Sequence, residues 1–199
     1  NSIKDTGYNV ANSCRFDGSS SYMTKTTSSA GDRQKFTISA WLKRGSLGSH
    51  GFILASYGDG TNYFETRFHQ DNDIRIYEEV SGSTGFELRT NRKFRDVSAW
   101  YSIIMAFDTT QGTAANRIKL YVNGVQETSF ATETYPSVNH NVNINTSSTR
   151  YEVGDYYDGS TRSNYYNGYM SEFVFIDGQQ LTPTSFGEFD EDSPQIFKP

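Results

Sequence analysis

Residues 100–125 read WYSIIMAFDTTQGTAANRIKLYVNGV and carry the pattern that decides the fold. Residues 100–107 place alternate side chains on opposite faces of a strand, and both faces are mostly apolar, which predicts a central strand buried on both sides. Residues 118–122 alternate aliphatic side chains with charged or aromatic ones, which predicts a neighbouring strand with one solvent-facing side. The pair Asn123-Gly124 then favours a two-residue type I′ hairpin, because both residues tolerate positive φ. Together these elements predict a sheet sandwich.

Strand and turn signals continue along the rest of the chain. Clusters of Gly, Asp and Asn interrupt the apolar alternation about every ten residues, a spacing typical of sandwiches. Residues 138–145 alternate apolar side chains with asparagines, which predicts a strand with an amide-lined face. Helical character is limited to one predicted turn at residues 182–186. The fold class is therefore predicted to be all-β, with two antiparallel sheets.

The composition narrows the classes of partner. Hydrophobic residues make up 35% of the 199 residues and aromatic residues 15%, so large rings must supply much of the core. The formal net charge is −5 and there is no basic run, so no nucleic-acid partner is expected. No uncharged apolar run approaches the roughly 20 residues of a membrane helix, so no membrane insertion is expected. Cys14 is the only cysteine, which excludes an intrachain disulfide, and we interpret it as a small core residue.

Five short motifs, in a fixed order, resemble one family. Their order is similar to that of a laminin-G-like, concanavalin A-type domain, and the resemblance spans residues 16–186. It implies a jelly-roll sandwich. The motifs are FDGSSSY at residues 16–22, FTISAW at 36–41, WY…FD at 100–108, LYVNG at 120–124 and NGYMSEF at 167–173.

The closing run at residues 175–188 is similar to the versions of this domain in tailed-bacteriophage virion proteins, often tail fibres. That resemblance implies an extracellular, virion-borne binding or adhesion module, as a tail fibre or a surface decoration. A host-surface glycan is then the expected ligand, and neighbouring virion chains are expected partners. A homotrimer is expected by resemblance to fibres.

The chain divides into three predicted segments. Residues 14–186 form the laminin-G-like sandwich, and residues 1–13 form a polar leader that pairs at a sheet edge or connects to an upstream element. Residues 187–199 are acidic and interrupted by proline, which predicts an extended arm or a linker to a further domain. The start at Asn1 without Met suggests a processed or excised segment.

A tyrosine-rich stretch at residues 156–166 is the candidate carbohydrate-binding site. Sugar recognition requires flat aromatic faces for stacking and planar amide or carboxylate groups for paired hydroxyl contacts, and this stretch has both. An equally weighted alternative is that the tyrosines cover the sandwich core or contact another protein. The candidate residues are Tyr156, Tyr157, Asp158, Arg162, Asn164, Tyr165 and Tyr166.

Calcium is the cofactor that the resemblance implies, because laminin-G-like domains commonly bind this ion at a loop rim through hard oxygen ligands. Asp155 and Asp158, in GDYYDGS, are candidate ligands, and Asp59 is a third candidate from another loop. The alternative is that these aspartates, two of which precede glycine, are ordinary turn formers.

The sequence does not predict an enzyme. Glycosidases on this kind of sandwich carry two acidic residues at alternate positions of one strand, whereas the corresponding strand here offers Glu172 alone. No Ser/His/Asp or zinc pattern is present, and His140 is interpreted as a core histidine with satisfied hydrogen bonds. Two alternatives to a glycan-binding module remain open: a purely structural virion subunit that binds neighbouring chains and, less favoured, a glycan hydrolase.

Overall fold

The computed structural model describes residues 12–199, which form strands and two short 3-10 turns, Ala114–Asn116 and Pro183–Ser185. The second turn confirms the helical turn predicted near residue 182. Residues 1–11 of the predicted leader lie outside the described residues. Over residues 12–199, no helix has the length and hydrophobicity needed to span a bilayer.

Two antiparallel sheets form the sandwich, which confirms the predicted all-β, laminin-G-like jelly-roll class. With strands numbered in chain order, the six-stranded sheet runs β1 (Cys14–Asp17), β15 (Asn167–Asp177), β3 (Lys35–Arg44), β8 (Tyr101–Asp108), β9 (Ile118–Val122) and β10 (Val125–Glu127). The seven-stranded sheet runs β11 (Phe130–Thr134), β7 (Ser83–Thr90), β6 (Ile74–Val80), β5 (Asn62–Phe68), β4 (Gly51–Asp59), β12 (Arg150–Val153) and β2 (Met23–Thr26). Two small hairpins, β13 (Tyr156–Tyr157) with β14 (Arg162–Ser163) and β16 (Glu188–Phe189) with β17 (Phe197–Lys198), complete the fold.

The structure confirms the main features predicted for residues 100–125. Strand β8 lies between β3 and β9 and is buried on both faces, since Ile103 faces the core between the sheets while Ile104 belongs to a second apolar cluster on the outer side. The turn after β9 has φ values of 49° at Asn123 and 78° at Gly124, as a type I′ turn requires. The solvent-facing side predicted for β9 is only partly present, because Tyr121 is buried in the outer cluster.

The strand predicted at residues 138–145 is wrong. Val142 and Ile144 are buried as the alternation suggested, but Asn139 and Asn145 have φ values of 59° and 57°, which interrupt an extended backbone. The backbone N–H of Val142 donates to the carbonyl of Arg33 at 3.0 Å, so the segment closes one end of the core as an irregular loop.

Cys14 and His140 are both predicted from the sequence to be core residues, and the two predictions have different outcomes. Cys14 is exposed, which corrects its prediction as a core residue: β1 is an edge strand in which only Phe16 is buried. His140 remains a satisfied structural histidine at the edge of the core, because its Nε2 lies 2.5 Å from an oxygen of the buried Glu78.

The C-terminal residues 187–199 fold back onto the domain instead of extending from it. Their hairpin places Phe197, 6% exposed, against Trp41 on the outer side of the six-stranded sheet, with the two rings stacked at 6.1 Å. The preceding residues cross the same sheet face, where the Thr37 hydroxyl donates to the carbonyl of Gln179 at 2.6 Å. Whether a further domain follows stays a prediction.

Gly124→Ala tests the contact between the C-terminal hairpin and the β9–β10 turn. An added Cβ would lie 2.8 Å from Cζ of Phe189 and closer still to the ring of Phe197, at a φ of +78°. Gly48 is the matched control, because its φ is +73° and nothing lies within 4 Å of an added Cβ. Gly48→Ala should cost about 1 kcal/mol through its φ alone, and Gly124→Ala should cost about 1–3 kcal/mol more through overpacking. Urea denaturation measures both, and equal losses would contradict the packing of the hairpin on the turn.

Candidate functional site

The tyrosine-rich stretch forms a hairpin on the outer side of the seven-stranded sheet. Strands β13 and β14 pair Tyr157 with Arg162, and the turn between them is held by Asp158. The Asp158 carboxylate accepts hydrogen bonds from the backbone N–H groups of Ser160, at 2.9 Å, and Thr161, at 2.7 Å. These bonds to the ionised form lower the pKa of Asp158. Asp158 therefore fixes the shape of the loop.

Two of the predicted tyrosines are packing residues. Tyr156 lies against Phe52, with ring centroids 5.1 Å apart, and burial raises its pKa to about 12. Tyr166 is 1% exposed, and its hydroxyl donates to the carbonyl of Lys43 at 3.0 Å. Tyr166 therefore fits the alternative in which tyrosines cover the core, whereas Tyr156 is half-buried and packs against Phe52 and Tyr63 on the outer side of the sheet.

Tyr157 and Arg162, which flank the turn of the hairpin, belong to an alternating stack of rings and guanidinium groups. The Arg162 guanidinium carbon lies 3.4 Å from the ring centroid of Tyr22 and 5.2 Å from that of Tyr157. Arg150 lies 4.4 Å from the same Tyr157 ring. We call these four residues, Tyr22, Arg162, Tyr157 and Arg150, the tyrosine–arginine stack. Tyr22 is 42% exposed, so one end of the stack is open to solvent.

Two buried carboxylates hold the stack from below. Arg162 Nη1 contacts Glu152 at 3.0 Å and also pairs with Asp155, while Arg150 pairs with Glu152. Glu152 and Asp155 are both 0% exposed. Burial raises the pKa of Asp155 to about 6, against the opposing attraction of Arg162. The cluster has two cations and two carboxylates, so it is neutral when both acids are ionised, and Arg162 is fixed in place.

The remaining predicted residues border this surface. Asn164 is exposed with a φ of 53°, and its carbonyl accepts a hydrogen bond from the N–H of Phe52 at 3.4 Å. Tyr165 is half-buried. Tyr22, Arg150 and Glu152 also belong to this site but could not be predicted from the sequence, because their positions in the chain do not indicate that β2, β12 and the hairpin meet.

The aspartates proposed as calcium ligands do not form a common site. Asp59 holds its own turn by accepting from the N–H of Thr61 at 2.8 Å, Asp158 holds the hairpin turn, and Asp155 is buried under Arg162. Among residues 12–199, these three do not form a group with converging ligand atoms.

A different group does converge: His69, Asp71 and Asp73, whose ligand atoms lie within 4.8 Å of one another. Arg89 contacts all three side chains, and Lys93 lies 2.6 Å from Asp73. The group contains an imidazole and its carboxylates are already paired with cations, whereas calcium prefers an all-oxygen set. The residues present therefore do not fit a calcium ion.

Comparison with models of protein families identifies the superfamily of the chain. A model described as "Concanavalin A-like lectin/glucanases superfamily", of the laminin-G type, matches residues 17–184. The chain belongs to this superfamily. A comparison of this lectin-like domain with curated protein sequences finds no significant match.

Solved structures share the fold of the lectin-like domain at low sequence identity. Domains LG4-5 of the mouse laminin α1 chain match with a TM-score of 0.58 and 13% identity over 90% of this chain and 45% of that one. The CBM40 module of the Ruminococcus gnavus IT-sialidase, bound to α2,3 sialyllactose, matches at 0.55 and 14% over 80% and 92%. Domain 4 of the Geobacillus stearothermophilus arabinanase AbnA, in complex with arabinotriose, matches at 0.53 and 18% over 75% and 64%.

The pKa of Asp155 predicts an unusual pH dependence of stability. Its folded-state pKa of about 6 lies above the ordinary value of 3.8, so the folded protein binds the proton more tightly than the unfolded chain. The stability that Asp155 contributes is therefore full below about pH 4 and is lost as the pH rises through 6. Asp155→Asn should gain stability relative to wild type as the pH rises over that range, measured by urea denaturation.

Asp158→Asn is the control from the same hairpin, with the opposite sign. Hydrogen bonds lower the pKa of Asp158 in the folded state, so its contribution is present at neutral pH and is lost on acidification. The Asp158→Asn deficit should thus shrink as the pH falls. Parallel pH profiles for wild type and Asp155→Asn would contradict the assignment.

Proposed function

We propose that this lectin-like domain is a non-catalytic carbohydrate-binding module and that the tyrosine–arginine stack is its contact surface. The observation that carries the proposal is the stack itself, in which aromatic rings and guanidinium groups alternate at an exposed rim. Such a surface offers apolar faces to sugar C–H groups and planar donors to pairs of hydroxyl groups. The buried carboxylates under Arg162 fix that guanidinium, which lowers the entropy lost when a ligand binds.

The fold relatives support the ligand class. Two of the matched modules were solved with a saccharide, sialyllactose in one and arabinotriose in the other. We extend this ligand class, but neither particular sugar, to the present chain. The target that we propose is a host-surface glycan.

Binding without hydrolysis is part of the same proposal. Glu152 and Asp155, which lie beneath the tyrosine–arginine stack, are 0% exposed and paired with arginine, so neither can reach a glycosidic oxygen. On β15, Glu172 shares the outer side of the sheet with the apolar Val174 and Ile176, while the other carboxylate of that strand, Asp177, lies at its end and accepts hydrogen bonds from Asn145 and from the N–H of Asp32. A pair of carboxylates is what glycoside hydrolysis generally requires.

The biological setting that we propose is a virion, with the domain outside the cell on a tail fibre or a surface decoration. Its support is the similarity of residues 175–188 to bacteriophage versions of the domain. On the same similarity we propose neighbouring virion chains as partners and a homotrimeric assembly.

A glycan-array screen tests the ligand class and the surface together. Wild type should bind a restricted set of glycans, and Tyr22→Ala should weaken that binding about tenfold or more, because it removes the exposed ring of the stack. Val138→Ala is the control, since Val138 is exposed and belongs to an unrelated loop. EDTA should leave binding unchanged, because the acidic groups described above do not fit calcium.

Each contrary result has a defined meaning. Silence of wild type across the array and across host extracts would overturn the glycan proposal in favour of a structural virion subunit. Equal binding by wild type and Tyr22→Ala would retain the ligand class but remove the stack as its site. Loss of binding in EDTA would contradict the fit argument against calcium. Release of reducing sugar from a host polysaccharide would identify a hydrolase.

A further inference from the structure

A second aromatic surface lies on the outer side of the other sheet. Two adjoining cavities of about 280 and 420 Å³ meet at Trp41, on the outer face of β3 and β15. Trp100 lines the smaller cavity, and Glu172 and Phe186 line the larger one. We call these four residues and the cavities between them the tryptophan groove.

The groove contains both tryptophans of the chain. Trp41 is half-buried, and its stacking on Phe197, with an interplanar angle of 14°, fixes the orientation of the ring. Trp100 is 37% exposed and lies 6.4 Å from the ring of Tyr169, which is itself 40% exposed. The C-terminal hairpin thus supports one ring, while the other two are open to solvent.

A backbone irregularity directs Glu172 into this groove. Strand β15 has a bulge between Ser171 and Val174, so that Ser171 and Glu172 both line the outer cavities while Met170 and Phe173 pack towards the core. Glu172 has a φ of 49°, a conformation that is unfavourable for a residue with a side chain. Bulges that redirect a side chain occur often beside functional sites.

The charge of the groove is distinctive. Glu172 is exposed, and it forms no ion pair or hydrogen bond with the residues that the structure describes. Among residues 12–199, no Lys or Arg lines either cavity. The polar groups beside the rings are instead hydroxyls, from Ser39, Ser171 and Ser185. An anionic ligand would meet an uncompensated carboxylate here, whereas an uncharged polyol would find an acceptor for paired hydroxyl groups.

We propose that the tryptophan groove binds an uncharged oligosaccharide, with a sugar ring on Trp41 or Trp100 and the Glu172 carboxylate accepting hydrogen bonds from its hydroxyl groups. Stacking of sugar C–H groups on indole faces supplies apolar contact, and charge-assisted hydrogen bonds supply orientation. The two adjoining cavities, of about 280 and 420 Å³, together offer a volume in the range of small-ligand sites. This site is separate from the tyrosine–arginine stack, which lies on the outer side of the other sheet.

Tryptophan fluorescence is a site-selective readout, because both indoles of the chain line the groove and none belongs to the stack. The probes are uncharged trisaccharides, namely arabinotriose, cellotriose, maltotriose and triacetylchitotriose, with α2,3 sialyllactose as the anionic comparison. At least one uncharged probe should give a saturable change in emission at millimolar concentration, and sialyllactose should not. Tyr22→Ala should titrate like wild type, so failure of the stack and failure of the groove are distinguishable.

Glu172→Gly separates a binding role from a structural one. Glycine is favoured at a φ of 49°, so this variant should unfold at a higher temperature than wild type. The same variant should lose affinity for the responding probe about tenfold or more, and Glu172→Gln should lose less because it keeps one acceptor oxygen. A second variant, Trp100→Ala, should also weaken binding with little effect on stability, since Trp100 lies at the surface.

The contrary outcomes are equally defined. The proposal is overturned if no uncharged probe changes the emission, or if sialyllactose binds as well as the uncharged sugars. It is also overturned if Glu172→Gly and Trp100→Ala both titrate like wild type, or if Tyr22→Ala abolishes the change in emission.

Discussion

The packing of Phe36 between the two sheets is the interaction on which the rest of the structure depends. Its ring stacks on Phe107 at 4.3 Å and on Phe175 at 5.5 Å, and it meets Phe64 edge-on at 6.2 Å. These contacts join β3 to both of its neighbours in the six-stranded sheet and to β5 in the opposite sheet. Each aromatic pair contributes about 0.5–1.5 kcal/mol beyond the burial of its area. A chain with few aliphatic residues thus holds its sandwich together through rings.

The inner faces of the two sheets form the hydrophobic core. The side chains of the outer faces can therefore be charged or aromatic without disrupting it. On the seven-stranded sheet, the outer face carries ionic clusters and the hairpin, in which carboxylates and arginines neutralise one another. On the six-stranded sheet, the outer face is aromatic and is partly covered by the C-terminal residues through Phe197 and Phe186. The two faces therefore differ in charge as well as in shape, although both present exposed rings.

Most strands could be predicted from the sequence, whereas the site could not be assembled from it, and the reason is physical. A strand is a local pattern, so the alternation at residues 118–122 and the turn at Asn123-Gly124 could be recognised without neighbours. Residues 138–145 show the limit of that inference: alternation predicted burial of Val142 and Ile144 correctly, but the left-handed asparagines at 139 and 145 decided the backbone. The same alternation placed Val138 on the buried face, where it is 50% exposed, so local pattern decided neither the backbone nor the full set of buried side chains.

The candidate site depends on contacts between distant parts of the chain. Arg162 contacts Tyr22, which lies 140 positions earlier in the sequence, and no pattern within residues 156–166 distinguishes the packed Tyr166 from the stacked Tyr157. Composition predicted a surface rich in aromatic and planar groups, and the structure decides which of these groups are available.

The buried carboxylates of this domain are neutralised by its own cationic side chains. An isolated buried carboxylate is costly, so it must be protonated, paired with a cationic side chain or bound to a metal. Here the buried Glu152 and Asp155 are paired with Arg162, and the buried Asp73 is paired with Arg89. Guanidinium groups thereby supply the positive charge that these acids require, and they also bring planar donors and ring-stacking faces. In this chain the groups that neutralise the buried acids are the same groups that shape the exposed surface, so stability and recognition at the hairpin depend on the same side chains.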